Sequence, residues 1–259
     1  MSVLSKHFRS AFRPVRGYKF IDIDIKRAHL GILAAYAKDE KLVAWFQEDP
    51  HSSTGDLLFP HIKSASQRRS LGKSTNSALV SGAGAGWLLG EYEEMGKIIT
   101  LEKAQSLIDA WWSRFLKSLA FRENHKRAVK VAVKQGKKWV VQTLGRTVAY
   151  FGRKILAGKH RPNKKWPKSE KACEKKAEMS AFTALLRAKE AEVMDELFIK
   201  ADKLGLSLVV PMYDGALWAA PEEEAEYLTE KLKEVALEIL AAHGIETGVE
   251  ASCQDTWGG

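Results

Sequence analysis

The runs of this chain that read most clearly as β-strand lie at its two ends. Tyr18-Lys19-Phe20-Ile21-Asp22-Ile23-Asp24 alternates apolar and polar residues, the period of a strand with one buried face. Leu206 to Ala220 reads as a hairpin whose turn falls at Asp214-Gly215, a strong hairpin dipeptide. Gly248 to Cys253 reads as a final strand, and most of what lies between is helical in pattern. The expected fold class is therefore α+β. An antiparallel sheet of about four strands is backed by long helices, with a helical insertion after the first strand.

Within the insertion, Ala28 to Ala37 is an apolar helix and Asp39 to Glu48 a second, with Asp39 as its cap. Asp49-Pro50 breaks it. Ser52 or Ser53 is expected to cap a short helix through Phe59, stopped by Pro60. Ser66 to Ser81 is helical, and Gly82-Ala83-Gly84-Ala85-Gly86 ends it. Leu101 to Gln135 is a long, bent helical stretch with a Trp111-Trp112-Phe115 core face, closed by Gly136. Lys138 to Tyr150 reads as two short strands around Gly145-Arg146, and Arg153 to Lys171 as a basic loop. Ser169 to Leu204 is a very long helix ended by Gly205, and Glu222 to His243 a further helix.

Composition narrows the partners. The 259 residues include 41 Lys+Arg against 32 Asp+Glu, a formal charge of +9 with pI about 9.4. That favours a polyanion, nucleic acid before an anionic membrane. No apolar run reaches the roughly 18 residues of a membrane span. Only Cys173 and Cys253 occur, which excludes a disulfide framework and a cysteine zinc site, and a reducing cytoplasm is the expected compartment. The first 16 residues are basic and free of acid, as in a mitochondrial transit peptide. Because they run straight into the first strand, a basic arm on nucleic-acid backbone is the preferred reading.

Asp24 at a strand end and Asp214 in a hairpin turn can both face a cleft while the sheet fixes their backbone. Mg²⁺ takes oxygen ligands, typically one or two carboxylates plus waters and substrate phosphates. Asp22 shares the face of Asp24 by the period of two. It can be a third ligand or a solvated strand residue, and the second is preferred. Arg69 and Lys73 are four apart and share one helix face, where a guanidinium fork and an ammonium suit a triphosphate. The same stripe continues to Ser77 and Ser81. Taken alone, each feature has an ordinary counterpart: a turn aspartate chosen for geometry, or an exposed basic helix face.

In this order the motifs resemble the polymerase core of family A DNA polymerases, the DNA polymerase I type, from about Tyr18 to Trp257. The first is Asp24-Ile25-Lys26-Arg27-Ala28-His29-Leu30, followed by Trp45-Phe46-Gln47-Glu48 and His51. The helix Arg69-Ser70-Leu71-Gly72-Lys73 through Ser81-Gly82 resembles the family's fingers helix. Thr143-Leu144-Gly145-Arg146, Ala181-Phe182-Thr183, Met212-Tyr213-Asp214-Gly215 and Val249-Glu250-Ala251-Ser252 to Trp257 follow. The resemblance implies a basic arm over 1–16, palm over 17–50 and 136–259, and helical fingers over 51–135. It implies two Mg²⁺ ions, replaceable by Mn²⁺, held by Asp24, Asp214 and the carbonyl of Ile25. Arg69 and Lys73 would bind the triphosphate, with Lys73 placed to protonate the leaving pyrophosphate and His51 near the β-phosphate. Thr143, Arg146, Arg187 and Tyr213 fall where the family meets primer or template.

The departures carry information too. His29 stands where the family has a glutamate that excludes a ribose 2′-hydroxyl. Ser77 replaces an aromatic beside the sugar and Ser81 a tyrosine near the nascent pair. Tyr213 and Gly215 replace the histidine and glutamate that flank the second aspartate, and Arg187 replaces a glutamine. Base–aromatic stacking contributes roughly 1–3 kcal/mol, so low fidelity and relaxed sugar choice are expected. The sequence shows no counterpart of the family's thumb and exonuclease domains, which implies weak, salt-dependent hold on primer-template or a processivity partner. The expected activity is a minimal template-directed DNA polymerase using dNTPs and also NTPs on primed or single-stranded DNA, with no membrane involved. The alternatives are a primase-like enzyme and a non-catalytic DNA-binding replication protein on the same fold.

Overall fold

A computed structural model describes residues 9–135, 139–143, 146–151 and 170–257. Gly136, Gly145 and nearly all of the basic loop from Arg153 lie outside the described residues. In chain order the described elements are β1 (Tyr18–Ile25), α1 (Ala28–Ala37), α2 (Glu40–Gln47), α3 (Pro50–Leu58), α4 (Ala65–Val80), α5 (Ala85–Glu94), α6 (Leu101–Trp112) and α7 (Leu116–Lys134). They continue with β2 (Trp139–Thr143), β3 (Arg146–Phe151), α8 (Glu170–Lys203), β4 (Ser207–Pro211), β5 (Gly215–Pro221), α9 (Ala225–Ala242) and β6 (Val249–Gln254). The chain divides into two compact units, Met1–Gly31 with Lys189–Gly259, and Ile32–Ala188. No described helix is long and apolar enough to cross a membrane.

The first unit holds the four-stranded sheet, in the order β4-β5-β1-β6 with every neighbouring pair antiparallel. Alternation along β1 decides its two faces. Ile21, Ile23 and Ile25 are buried, with Trp218 opposite Ile21, Ala216 opposite Ile23 and Val249 opposite Ile25. α9 covers this side through Leu228, Leu232, Ala236 and Ile239, which recur at helical spacing. On the other face, Phe20, Leu217 and Trp257 form a small apolar cluster. Phe12 meets Trp257 edge-on and the Arg9 guanidinium lies over its ring, 4.9 Å from the centroid. The described end of the basic arm is thus seated on the sheet unit.

The second unit is helical apart from the β2–β3 hairpin. Asp39 caps α2, accepting from Leu42 N, and its other oxygen accepts from the backbone and hydroxyl of Ser118 at the start of α7. One buried carboxylate thereby satisfies orphan donors of two helices. Trp111, Phe115, Phe46 and Phe59 are among the largest fully buried side chains. The long 101–135 stretch is two helices, α6 and α7, broken at 113–115. Neither Ser52 nor Ser53 caps α3. Asp49 does, accepting from His51 N and Ser52 N, with Pro50 in the first turn where its missing N–H costs nothing.

α3 and α4 cross closely because each has a glycine at the crossing. A Cβ on Gly72 would stand 1.9 Å from the His51 carbonyl oxygen, and one on Gly55 2.2 Å from that of Arg68. Replacing a mid-helix glycine by alanine ordinarily gains about 1 kcal/mol. At Gly72 the sign reverses, because backbone must move, and overpacking of this kind costs about 1–3 kcal/mol. Gly90, inside α5, has nothing within 4 Å of a built Cβ. Urea unfolding should therefore show Gly72→Ala less stable and Gly90→Ala more stable than wild type. Equal shifts of the same sign would contradict the close crossing.

Candidate active site

Asp24 and Asp214 are brought together by strand pairing. Asp24 is exposed near the end of β1 and stands in register with Gly215, the residue after Asp214. The Ile25 amide donates to the Asp214 carbonyl at 2.7 Å, and Met212 N donates to Gly215 O at 3.0 Å, closing the turn. A Cβ on Gly215 would meet the Ile23 carbonyl oxygen at 2.2 Å. Glycine here is a condition of the close approach in this chain. Tyr213 is exposed on the same turn.

Asp22 is half-buried, not a solvated strand residue. Burial pushes its carboxyl up, opposed by Arg9 and the Trp257 indole. Glu250 stands in register with Asp24 on the other flank and pairs with Lys26 at 3.1 Å. Among the described residues no group of three or more His, Cys, Asp or Glu is placed to hold a metal ion. Asp24 and Asp214, with the Ile25 backbone between the two strands, are the pair that the strand register brings together.

His29, on the first turn of α1, faces a carboxylate that the sequence did not reveal. Its Nε2 lies 3.4 Å from Glu190 of α8, a glutamate only 5% exposed. The histidine thus has a buried acid behind it, on a different helix.

The basic stripe in the second unit follows the expected spacing. Arg69, Lys73 and Ser77 are exposed along α4, and Ser81, half-buried, caps its end. The hydroxyl of Thr183 donates to the Ser81 carbonyl at 3.0 Å, tying the end of α4 to α8. Arg69 Nε donates to Asp49 at 3.0 Å, so the acid that caps α3 also orients this guanidinium. Burial alone would raise the Asp49 carboxyl. Hydrogen bonds from the Ser52 side chain, from Arg69 and from the Ser52 backbone outweigh it and hold the group at about 2. His51 is buried on α3, with Asn76 of α4 at its Nδ1. Arg187 is exposed on α8. Thr143 and Arg146 are partners at the close of the β2–β3 hairpin, and their side chains lie outside the described residues.

A family model for DNA polymerase family A matches residues 2–259. The chain belongs to DNA polymerase family A. The thermostable DNA polymerase I of Thermus aquaticus is 25% identical over 98% of this chain and 29% of its own length. DNA polymerase I of Pseudomonas aeruginosa is 27% identical over 97% of this chain and 26% of its own length. The chain thus spans less than a third of these relatives. Among solved structures, the POL domain of Pol1 from M. smegmatis, in complex with DNA primer-template and dNTP, superposes with a TM-score of 0.72. The two are 19% identical, and the match covers 98% of this chain and 42% of that one. That likeness supports a family A polymerase fold.

Sequence reasoning placed the carboxylates and the stripe but missed Asp49, Glu190 and Asn76. Asp49 was readable, because Asp-Pro at a helix start is a cap followed by a first-turn proline. The Asp49–Arg69 pair has a pH signature. A carboxyl depressed on folding contributes stability in full above its ordinary value near 3.8, and that contribution is lost as pH falls through about 2. Asn at this position still caps but carries no charge. The stability difference between wild type and Asp49→Asn should be constant at neutral pH, begin to shrink below about 4 and be lost below about 2. A difference independent of pH from 7 to 2 would contradict the pairing.

Proposed function

We propose that this chain catalyses template-directed nucleotidyl transfer, extending a DNA primer 3′-hydroxyl with nucleoside triphosphates by a two-metal mechanism. The observation that supports the reading is the register of β1 with the β4–β5 turn, in which the backbone of Asp24 pairs beside the turn that carries Asp214. Two carboxylates fit Mg²⁺, which keeps waters and takes substrate phosphates as its other ligands. Asp24, Asp214 and the Ile25 carbonyl would hold the ions, and Mn²⁺ would substitute. When bound, the ions lower the pKa of the attacking hydroxyl and neutralise the leaving pyrophosphate.

The remaining roles belong to side chains of the second unit. Arg69 is held by Asp49 through Nε, and its guanidinium fork binds triphosphate oxygens in competition with that carboxylate. Lys73, one turn on, supplies a point charge and a proton for the leaving pyrophosphate. His51 hydrogen-bonds a phosphate oxygen. Thr143, Arg146, Arg187 and Tyr213 contact primer or template, and a net charge of +9 makes that binding strongly salt-dependent.

Sugar choice is relaxed in this reading. Where a glutamate would meet the ribose, His29 stands with Glu190 behind it. With serines at 77 and 81, the nucleotide lacks two stacking partners and fidelity is low. The relatives named above are DNA polymerases, and nothing in them favours primer synthesis from unprimed template.

The test is incorporation with Mg²⁺ or Mn²⁺, using dNTPs and NTPs separately on primed and unprimed single-stranded DNA. Primed, metal-dependent extension is expected with both sugars, abolished in Asp24→Ala/Asp214→Ala. Strict use of dNTPs would overturn the sugar reading. DNA binding without extension in any lane would overturn catalysis and favour a non-catalytic replication protein.

A further inference from the structure

The buried polar cluster where α3 crosses α4 settles a protonation state. Asn76 is 1% exposed, and its Oδ1 accepts from the Thr54 hydroxyl at 2.7 Å and from the Trp111 indole at 3.1 Å. The Trp111 N–H is shared with Thr54 Oγ1 at 3.2 Å, and the far side of the amide faces the Pro50 carbonyl, which only accepts, so the amide nitrogen lies there and the oxygen faces Trp111. Nδ2 lies 3.1 Å from the Pro50 carbonyl and 3.2 Å from His51 Nδ1. The two amide hydrogens thus meet two acceptors, and His51 Nδ1 has to present a lone pair. A neutral imidazole with a bare Nδ1 carries its proton on Nε2.

We propose that Asn76 is a positioning residue that holds His51 as the neutral Nε2–H tautomer, so that the ring offers a hydrogen-bond donor to an anionic oxygen of the incoming nucleotide. This rests on the reading of His51 as a phosphate contact. With the opposite tautomer, a lone pair on Nε2 would face the phosphate oxygen and repel it. Arg69 and Lys73 already supply positive charge on α4. A neutral N–H adds direction without a third cation. The cluster depends on the close crossing at Gly72, which brings His51 and Asn76 within hydrogen-bond reach. Its orientation is set from the core, because Trp111 is wholly buried between Trp45 and Phe115.

The test is long-range proton–nitrogen correlation NMR of the histidine rings in the full chain, with His51 assigned by the signals lost in His51→Gln. Nδ1 is expected at the position of an unprotonated ring nitrogen and Nε2 at that of a protonated one. A reversed tautomer, an averaged mixture or an imidazolium at neutral pH would overturn the proposal. Asn76→Asp keeps the acceptor for Thr54 and Trp111 but turns the second atom into an acceptor. His51 should then carry its proton on Nδ1, and KM for the nucleotide should rise roughly tenfold with kcat changing less, as loss of one hydrogen bond to a charged group gives. An unchanged tautomer in the folded variant would overturn the role of Asn76, and a reversed tautomer with unchanged KM would overturn the phosphate contact. Should Asn76→Asp not fold, the wild-type spectrum decides alone. The spectrum needs no turnover, so an inactive chain with the expected tautomer contradicts the polymerase reading and leaves the positioning intact.

Discussion

The proposed chemistry hangs on how closely β5 approaches β1. Gly215 brings the β4–β5 turn against Ile23 with no room for a side chain, and the Ile25 amide closes the pair onto the Asp214 carbonyl. Backbone pairing makes neighbours of two residues distant in sequence. Buried isoleucines on the opposite face of β1, covered by α9, keep the strand from slipping. A one-residue slip would turn Asp24 inward and Ile23 to solvent.

The helical unit solves a similar problem with different means. Its conserving element is a set of shared acids and amides, each serving two helices. Asp39 joins α2 to α7, Asp49 caps α3 while orienting Arg69, and Asn76 joins α4 to both α3 and α6. Each buried polar group is costly unless satisfied. A network of this kind therefore holds one arrangement of the crossing more specifically than apolar packing would. The basic stripe on α4 inherits that rigidity without being buried itself.

Much of this was legible in the sequence because it rests on local pattern. The alternation of β1, the Asp214-Gly215 turn, the i, i+4 spacing of Arg69 and Lys73 and the cap at Asp39 each follow from a few adjacent residues. The break at Asp49-Pro50 was legible, but the cap of the helix that follows was assigned to Ser52 or Ser53 in place of Asp49. Asn76, Thr54 and Trp111 meet only after three helices pack, and Glu190 meets His29 only across α1 and α8. No spacing rule reports contacts of that kind. Asp22 was misjudged because Arg9 and Trp257, which act on its carboxyl, lie far from it in sequence.

If the two carboxylates act as one unit, their contributions to rate cannot be independent. The direct test is a double-mutant cycle on primer extension with Asp24→Asn, Asp214→Asn and the double variant. Loss of metal-held charge stabilisation of several kcal/mol corresponds to roughly 10³-fold or more in rate. Each single variant is expected to fall by that order, with the double no slower than the worse single, because the second carboxylate has nothing left to support. Losses that multiply, or a single variant that keeps most of its activity, would contradict a shared site at the β1–β5 junction.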